Sequence, residues 1–140
     1  METRRLSWIL GKSPAQFAKE LAAPLMAEYP VNVIRPPMKT LVMVKMRETV
    51  AGAEFYLGEM LASEAMVELA GEKGFALVAG DDPDKALSAA VLDAALRALP
   101  ERLALMTALE AQERKLLDEA ARLRRMHDKS RVRFETMNPA

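Results

Sequence analysis

The sequence has no cysteine among its 140 residues, and it has a single histidine. The lack of cysteine excludes disulfide bonds, zinc sites built on thiolates and a cysteine nucleophile. An excess of charge of either sign is also missing, because twenty basic and twenty acidic residues cancel. A neutral chain is a poor candidate for a general nucleic-acid or membrane-surface binder unless its charges are segregated.

Long hydrophobic runs are missing as well. No apolar run approaches the ~18 residues that a membrane span requires. The basic N-terminal start is followed by an apolar run shorter than the roughly 7–15 residues of a signal peptide. We therefore expect a cytoplasmic protein that does not bind a membrane. About half of the residues are apolar and over a quarter are charged, which predicts one soluble domain, residues 1–140.

Residues 41–61 have the pattern of two strands joined by a turn at Gly52. Apolar and polar positions alternate with the period of a half-buried strand in both halves of this segment. One predicted face carries Val42, Val44, Met46, Phe55, Leu57 and Leu61. A sheet with one apolar face must bury it, so we expect helices from the rest of the chain to cover this hairpin.

Shorter elements precede and follow this hairpin. Residues 4–11 favour a short helix, and Ser13 is predicted to cap a second helix that Pro24 should end or kink near residue 22 or 23. Residues 31–35 form a predicted short strand closed by Pro36 and Pro37, which is either an edge strand or a strand end. Residues 63–69 continue as a strand or a bend. Residues 75–79 are apolar on both faces, which favours a central strand.

The C-terminal half is predicted to be helical. Asp82 is placed to cap an alanine-rich, buried helix over residues 83–99. A longer helix over residues 101–127 has an apolar stripe that a second chain could cover as readily as the sheet: Met106, Leu109, Leu116, Ala120 and Leu123. Residues 128–140 lack a helical period and are predicted to form an extended arm. The fold class is α+β, with N-terminal helices, an antiparallel sheet of about four strands, two C-terminal helices and this arm.

Few residues could perform chemistry. His127 lies among cations and has no orienting carboxylate, so we interpret it as a solvated bystander. The aspartates at positions 81, 82 and 84 lack the spacing of a calcium loop, and helix capping explains them. The sequence from Gly11 to Ser13 lacks the leading glycine and preceding strand of a phosphate loop. We therefore predict no catalytic residue, metal ligand or cofactor in this chain.

The strongest local charge feature is basic and lies at residues 122–133. It could be a solvated face, a contact with a protein partner or a contact with an anionic ligand. A small nucleotide- or nucleic-acid-binding module is the alternative function that this run suggests. The neutral total charge and the seven aromatic residues, few of them near the run, disfavour it. The run contains Arg122, Arg124, Arg125, Lys129, Arg131 and Arg133.

Several segments in order resemble the PhnG family, whose members are components of the bacterial carbon–phosphorus lyase system. They are VNVIRPP at residues 31–37, LVM at 41–43, FYLGE at 55–59, an aspartate- and alanine-rich segment after residue 80, and SRVRFETM at 130–137. No single motif is specific alone, but together they cover nearly the whole chain. The motif residues are Arg35, Gly58, Glu59, Gly80, Asp82 and Asp93.

The resemblance implies an accessory subunit of the complex that processes alkylphosphonates. With its partners, a PhnG protein is needed to transfer ribose triphosphate from ATP to the phosphonate, displacing adenine, while other subunits carry the chemistry. The resemblance also implies a hetero-oligomer, and the stripe of the long helix allows self-association. An extended arm with one apolar face suits a partner surface. The residues predicted to contact a partner are Arg131, Val132, Arg133, Phe134 and Met137.

Overall fold

The computed structural model describes residues 1–99 and 102–137, with side chains up to residue 129. The elements in this part of the chain are α1 (Thr3–Lys12), α2 (Ala15–Glu28), β1 (Val31–Arg47), β2 (Glu54–Leu69), β3 (Glu72–Ala79), α3 (Pro83–Ala98) and α4 (Arg102–Met137). The predicted α+β class is confirmed. The sheet has three strands in the described residues, not about four. The strand predicted over residues 31–35 and the first strand of the predicted hairpin are one continuous strand, β1.

β1 is an edge strand that runs through its two prolines. The sheet order is β1-β2-β3, and the pairing of β1 with β2 changes register on both sides of Arg35. The ladder passes from the Arg35–Met66 pair to the Met38–Glu64 pair, so Pro36 and Pro37 lie in an irregularity where neither has a partner to bond. The prolines therefore mark an edge, as predicted, but the prediction that they end the strand is wrong.

β3 occupies the other edge, so the prediction of a central strand is wrong. Its residues alternate strictly: Gly74, Ala76 and Val78 are buried, whereas Phe75 and Leu77 are exposed. The inner face of β3 is apolar because it packs on the core, and the outer face is apolar because Phe75 and Leu77 are exposed there. A double-sided apolar pattern therefore does not distinguish a buried centre from an uncovered edge.

The hairpin predicted over residues 41–61 is confirmed, with its turn at residues 48–53. Gly52 has a φ of +70°, and the Glu48 N–H donates to the Ala53 carbonyl. The prediction that helices cover the hairpin is wrong, because β3 stops at Ala79, opposite Ala62. Beyond that point β1 and β2 continue as two strands only, residues 41–47 and 54–61. We call this segment, together with residues 38–40 of β1 that lead into it, the ribbon.

The core lies at the other end of the sheet, between α3 and the inner face of β2 and β3. α3 is buried nearly all round, as predicted, and α1, α2 and the start of α4 close its remaining sides. Asp82 caps α3 as predicted, since its Oδ1 accepts from the Lys85 N–H at 3.1 Å. The largest fully buried side chains are Ile9, Leu69, Leu92, Leu109, Val67 and Val91.

α2 does not end before Pro24 but continues to Glu28. A proline inside a helix removes one hydrogen bond, and the burial of Ala18 and Ala22 in the core holds this helix in place. The prediction that Ser13 caps α2 is wrong, because the N-cap of α2 is Pro14. The Ser13 hydroxyl instead donates to the Ile9 carbonyl at 2.6 Å, at the C-terminal end of α1.

α4 is longer than predicted and reaches Met137. The extended arm predicted for residues 128–140 is therefore wrong as far as Met137, and residues 138–140 lie outside the described part. Residues 102–137 contain no glycine and no proline, so nothing in their backbone chemistry stops the helix. Among the described residues, no helix combines the length and apolar character needed to cross a membrane.

Candidate interaction surfaces

The acidic cluster before α3 is used structurally. Asp82 caps the helix, Asp81 lies 3.1 Å from the Lys39 ammonium, and Asp84 lies 3.7 Å from the Lys19 ammonium. No group of three or more histidine or carboxylate side chains in the described residues could hold a metal ion. His127 is exposed on α4. Among the side chains that the structure describes, no nucleophile is hydrogen-bonded to a base.

Arg5 of α1 and Glu113 of α4 form a bidentate ion pair, with both N–O distances at 2.6 Å. Hydrogen bonds from Arg5 hold the pKa of the Glu113 carboxyl below its ordinary value, and the same pair raises the pKa of Arg5. Such fork geometry fixes orientation as well as distance. The pair therefore sets the angle at which α4 leaves the domain.

Because the pKa of Glu113 is lowered, its contribution to stability is complete above the ordinary carboxyl value of 4.5 and is lost as the pH falls through the lowered value. We expect Glu113→Gln to reduce the free energy of unfolding at neutral pH and to match the wild type in acid. Urea unfolding at several pH values measures the difference. Glu119→Gln, an exposed carboxylate on the same helix, is the control. A deficit that does not depend on pH would contradict this assignment.

The motif residues of the sequence analysis do not meet in one site. Arg35 pairs with Glu64 across the sheet at 3.3 Å, and Glu59 is exposed on the ribbon opposite Met43. Gly58, with a φ of +155°, lies where the pairing of β1 and β2 slips by one residue. Each of these residues shapes the sheet rather than a pocket.

The other motif residues join β2, β3 and α3. The Ser63 hydroxyl donates to the Gly80 carbonyl at 2.8 Å and accepts from the Asp82 N–H at 2.9 Å. Gly80 has a φ of +89°, which turns the chain out of β3 and into the helix cap. Buried Asp93 accepts from the Phe75 N–H at 3.0 Å. These contacts fix where β3 ends and so where the ribbon begins.

The closest approach of two elements in the core is at Gly74, before the strand predicted over residues 75–79. Gly74 lies in β3, directly under α3. A Cβ at this position would lie 2.1 Å from the Ala90 carbonyl oxygen and 2.5 Å from the Ala94 nitrogen. The signal that could have found it is the spacing of Ala86, Ala90 and Ala94, a strip of small residues on one face of α3 that lets a strand approach.

Nine of the twenty exposed large apolar side chains of the described residues lie on the ribbon. Leu41, Leu57 and Phe55 are exposed by 63%, 60% and 47%. Isolated exposed apolar side chains are common on monomers, but apolar neighbours such as Leu41 and Leu61, which pair across the two strands, are typical of an interaction site. The full set is Met38, Leu41, Met43, Met46, Phe55, Tyr56, Leu57, Met60 and Leu61.

Charged side chains lie around the ribbon. Arg47 lies 3.3 Å from Glu54, the Lys45 ammonium lies 5.3 Å from the centre of the Tyr56 ring, and Glu59 is exposed. A partner would therefore meet an apolar surface whose rim carries charges of both signs. Both strand edges of the ribbon are open as well, since β3 pairs with β2 only from Ala62 onwards. A third strand could join either edge.

The basic run is only partly described by side chains. Arg122 and Arg125 are exposed on the same face of α4 as Asp118 and Glu119, so acids interrupt the positive surface there. Residues 131–137 continue the helix, which removes the strand alternation on which their predicted role rested. The prediction that Arg131, Val132, Arg133, Phe134 and Met137 contact a partner stays a prediction.

Comparison with known proteins agrees with the resemblance found in the sequence. Residues 2–138 match the family model described as phosphonate metabolism protein PhnG. No curated protein matches the chain. The family match spans both the packed domain and the ribbon, and it continues to the end of α4.

Proposed function

Since the chain belongs to the PhnG family of phosphonate metabolism proteins, within the carbon–phosphorus lyase system, we propose that it is a non-catalytic subunit of that system's complex. The other subunits need this chain in order to transfer ribose triphosphate from ATP to an alkylphosphonate with release of adenine. Because ATP is the donor, the proposal includes a cytoplasmic location. The observation that carries it is the uncovered ribbon.

The ribbon supports a docking role for energetic reasons. Burying one large apolar side chain fully contributes about 1.5–3 kcal/mol, and nine such side chains of the ribbon are exposed. A two-stranded ribbon is also only marginally stable in water. A partner that covers the faces of the ribbon would bury its apolar side chains. A strand added at an open edge would stabilise the ribbon through main-chain hydrogen bonds.

The hydroxyl groups near the core support a non-catalytic role. Ser13 donates to the Ile9 carbonyl, and Thr107 donates to the Leu103 carbonyl. Ser63 is held between two backbone groups. A nucleophile needs a base within hydrogen-bond reach, and none of these hydroxyls has one. The chemistry is therefore assigned to other subunits.

The test is to reconstitute the complex from purified subunits with and without this chain. Adenine released from ATP in the presence of methylphosphonate is then measured by chromatography. We expect the complex without this chain to lose at least 100-fold in rate and the chain alone to release none. His127→Ala should leave the rate of the full complex unchanged. Full activity without the chain, or turnover by the chain alone, would overturn the proposal.

A further inference from the structure

α4 extends well beyond the domain that holds its start. Its 36 residues span about 54 Å at 1.5 Å per residue. Leu109 is fully buried in the core and Leu116 is half-buried, but Leu117 and Leu123 are exposed by 50% and 57%. The apolar stripe therefore continues past the last element of this chain that covers it.

The stripe as a whole has the spacing of a coiled-coil seam, and its part from Leu116 onwards is the part left open. Leu109, Leu116 and Leu123 recur every seven residues, and Glu113, Ala120 and His127 follow them at four-residue steps. Heptad spacing keeps one face of a helix against a partner helix. The opposite face is charged and carries Arg114, Asp118, Arg122 and Arg125. The open apolar seam is therefore a narrow stripe along α4, which suits contact with another helix.

The charges of α4 change sign along its length. Residues 110–119 carry four acidic and two basic side chains, whereas residues 120–129 carry four basic and one acidic. Two parallel copies would align like with like. Two antiparallel copies would place each acidic segment beside a basic one, which favours that orientation. Antiparallel pairing also opposes the two helix dipoles.

We propose that α4 pairs with α4 of a second copy of this chain, antiparallel, with the two helices crossing at Ala120. Alanine at positions 120 and 121 lets the two backbones approach closely. Leu116 and Leu123 of each copy lie on either side of the crossing and cover the apolar seam of the other. The ribbon takes no part in this contact, so a pair of chains still presents two ribbons to other subunits.

The absence of cysteine makes a direct test possible in the full-length chain. Ala120→Cys places two thiols at the crossing, and we expect mild oxidation to give a covalent dimer. His127→Cys is the matched control on the same seam. In the antiparallel pair the two copies of residue 127 are separated by about 21 Å, beyond the ~7 Å limit for a disulfide. We expect at least tenfold less covalent dimer from His127→Cys. Equal cross-linking of both variants, or none, would overturn the proposal.

Mass measured by light scattering gives a second, independent readout. Leu123→Glu should weaken dimerisation at least tenfold without unfolding the chain, because Leu123 is exposed. Arg125→Ala, which changes an exposed side chain on the opposite face of α4, should leave the dimer intact. A wild-type monomer whose capture by other subunits is weakened by Leu123→Glu would overturn self-pairing while leaving the proposed function standing. A dimer insensitive to Leu123→Glu would also overturn it.

Discussion

Gly74→Ala should destabilise the protein by at least about 3 kcal/mol, a severe effect for a single methyl group. The added Cβ would lie 2.1 Å from the Ala90 carbonyl oxygen, and neither the helix nor the strand can move alone. If α3 shifts, the hydrogen bond from the Phe75 N–H to Asp93 is lost, as is the one from Arg97 to the Lys73 carbonyl. Urea unfolding followed by circular dichroism measures the change.

Gly11→Ala is the matched control for this experiment. Gly11 lies inside α1, where a Cβ would meet nothing within 4 Å. Alanine is favoured over glycine inside a helix by about 1 kcal/mol, so this variant should be slightly more stable than the wild type. If Gly74→Ala unfolded within about 1 kcal/mol of the wild type, the close approach of α3 to β3 would be disproved.

Replacing Phe55 and Leu57 together by glutamate should weaken capture by the other subunits at least 100-fold, about 2.7 kcal/mol. Buried aromatic and aliphatic side chains at the centre of an interface contribute most of its energy, and two buried charges would oppose docking as well. The free energy of unfolding should change little, because both side chains are exposed. Affinity is measured with the purified partner subunits on an immobilised surface.

Leu103→Glu serves as the control for the ribbon variant. Leu103 is also an exposed leucine, but it lies at the start of α4, outside the ribbon. It should therefore leave capture unchanged. If the ribbon variant and the control bound partners equally well, the ribbon would not be the docking surface, whatever the role of the chain in the complex.

Several local features were predictable from the sequence because they depend on single residues and the backbone beside them, although the cap predicted at Ser13 was wrong. The cap by Asp82, the turn at Gly52 and the burial of the alanine-rich α3 all follow from such residues, and all are confirmed. The family resemblance was also predictable, because it rests on the order of segments along the chain. It is confirmed over residues 2–138.

Predictions failed where tertiary contacts override a local preference. Pro24 costs α2 a hydrogen bond, but burial of Ala18 and Ala22 keeps the helix together. The two prolines of β1 are tolerated because an edge strand has unpaired backbone on one side. Residues 128–137 lack an apolar helical period and were therefore predicted to be extended, but a helix can continue without such a period where the chain has no glycine or proline to stop it.

The ribbon shows why its role was harder to predict than its structure. The alternation of apolar residues is the same whether a strand is covered by its own helices or by another protein. The hairpin was therefore predicted correctly from the sequence, whereas the prediction that helices of the same chain cover it was wrong. What decides the difference is the end of β3 at Ala79, next to the contact of Ser63 with Gly80, and Gly80 is distant from the ribbon in sequence.

Hydrogen–deuterium exchange of the chain, alone and within the assembled complex, tests the central claim most directly. If partners cover the ribbon and add a strand to it, amides at residues 38–47 and 54–61 should exchange at least tenfold more slowly in the complex. Amides of α3, already buried in the free chain, should exchange at the same rate in both states. Ribbon amides that exchange equally fast in the free chain and in an active complex would contradict the account.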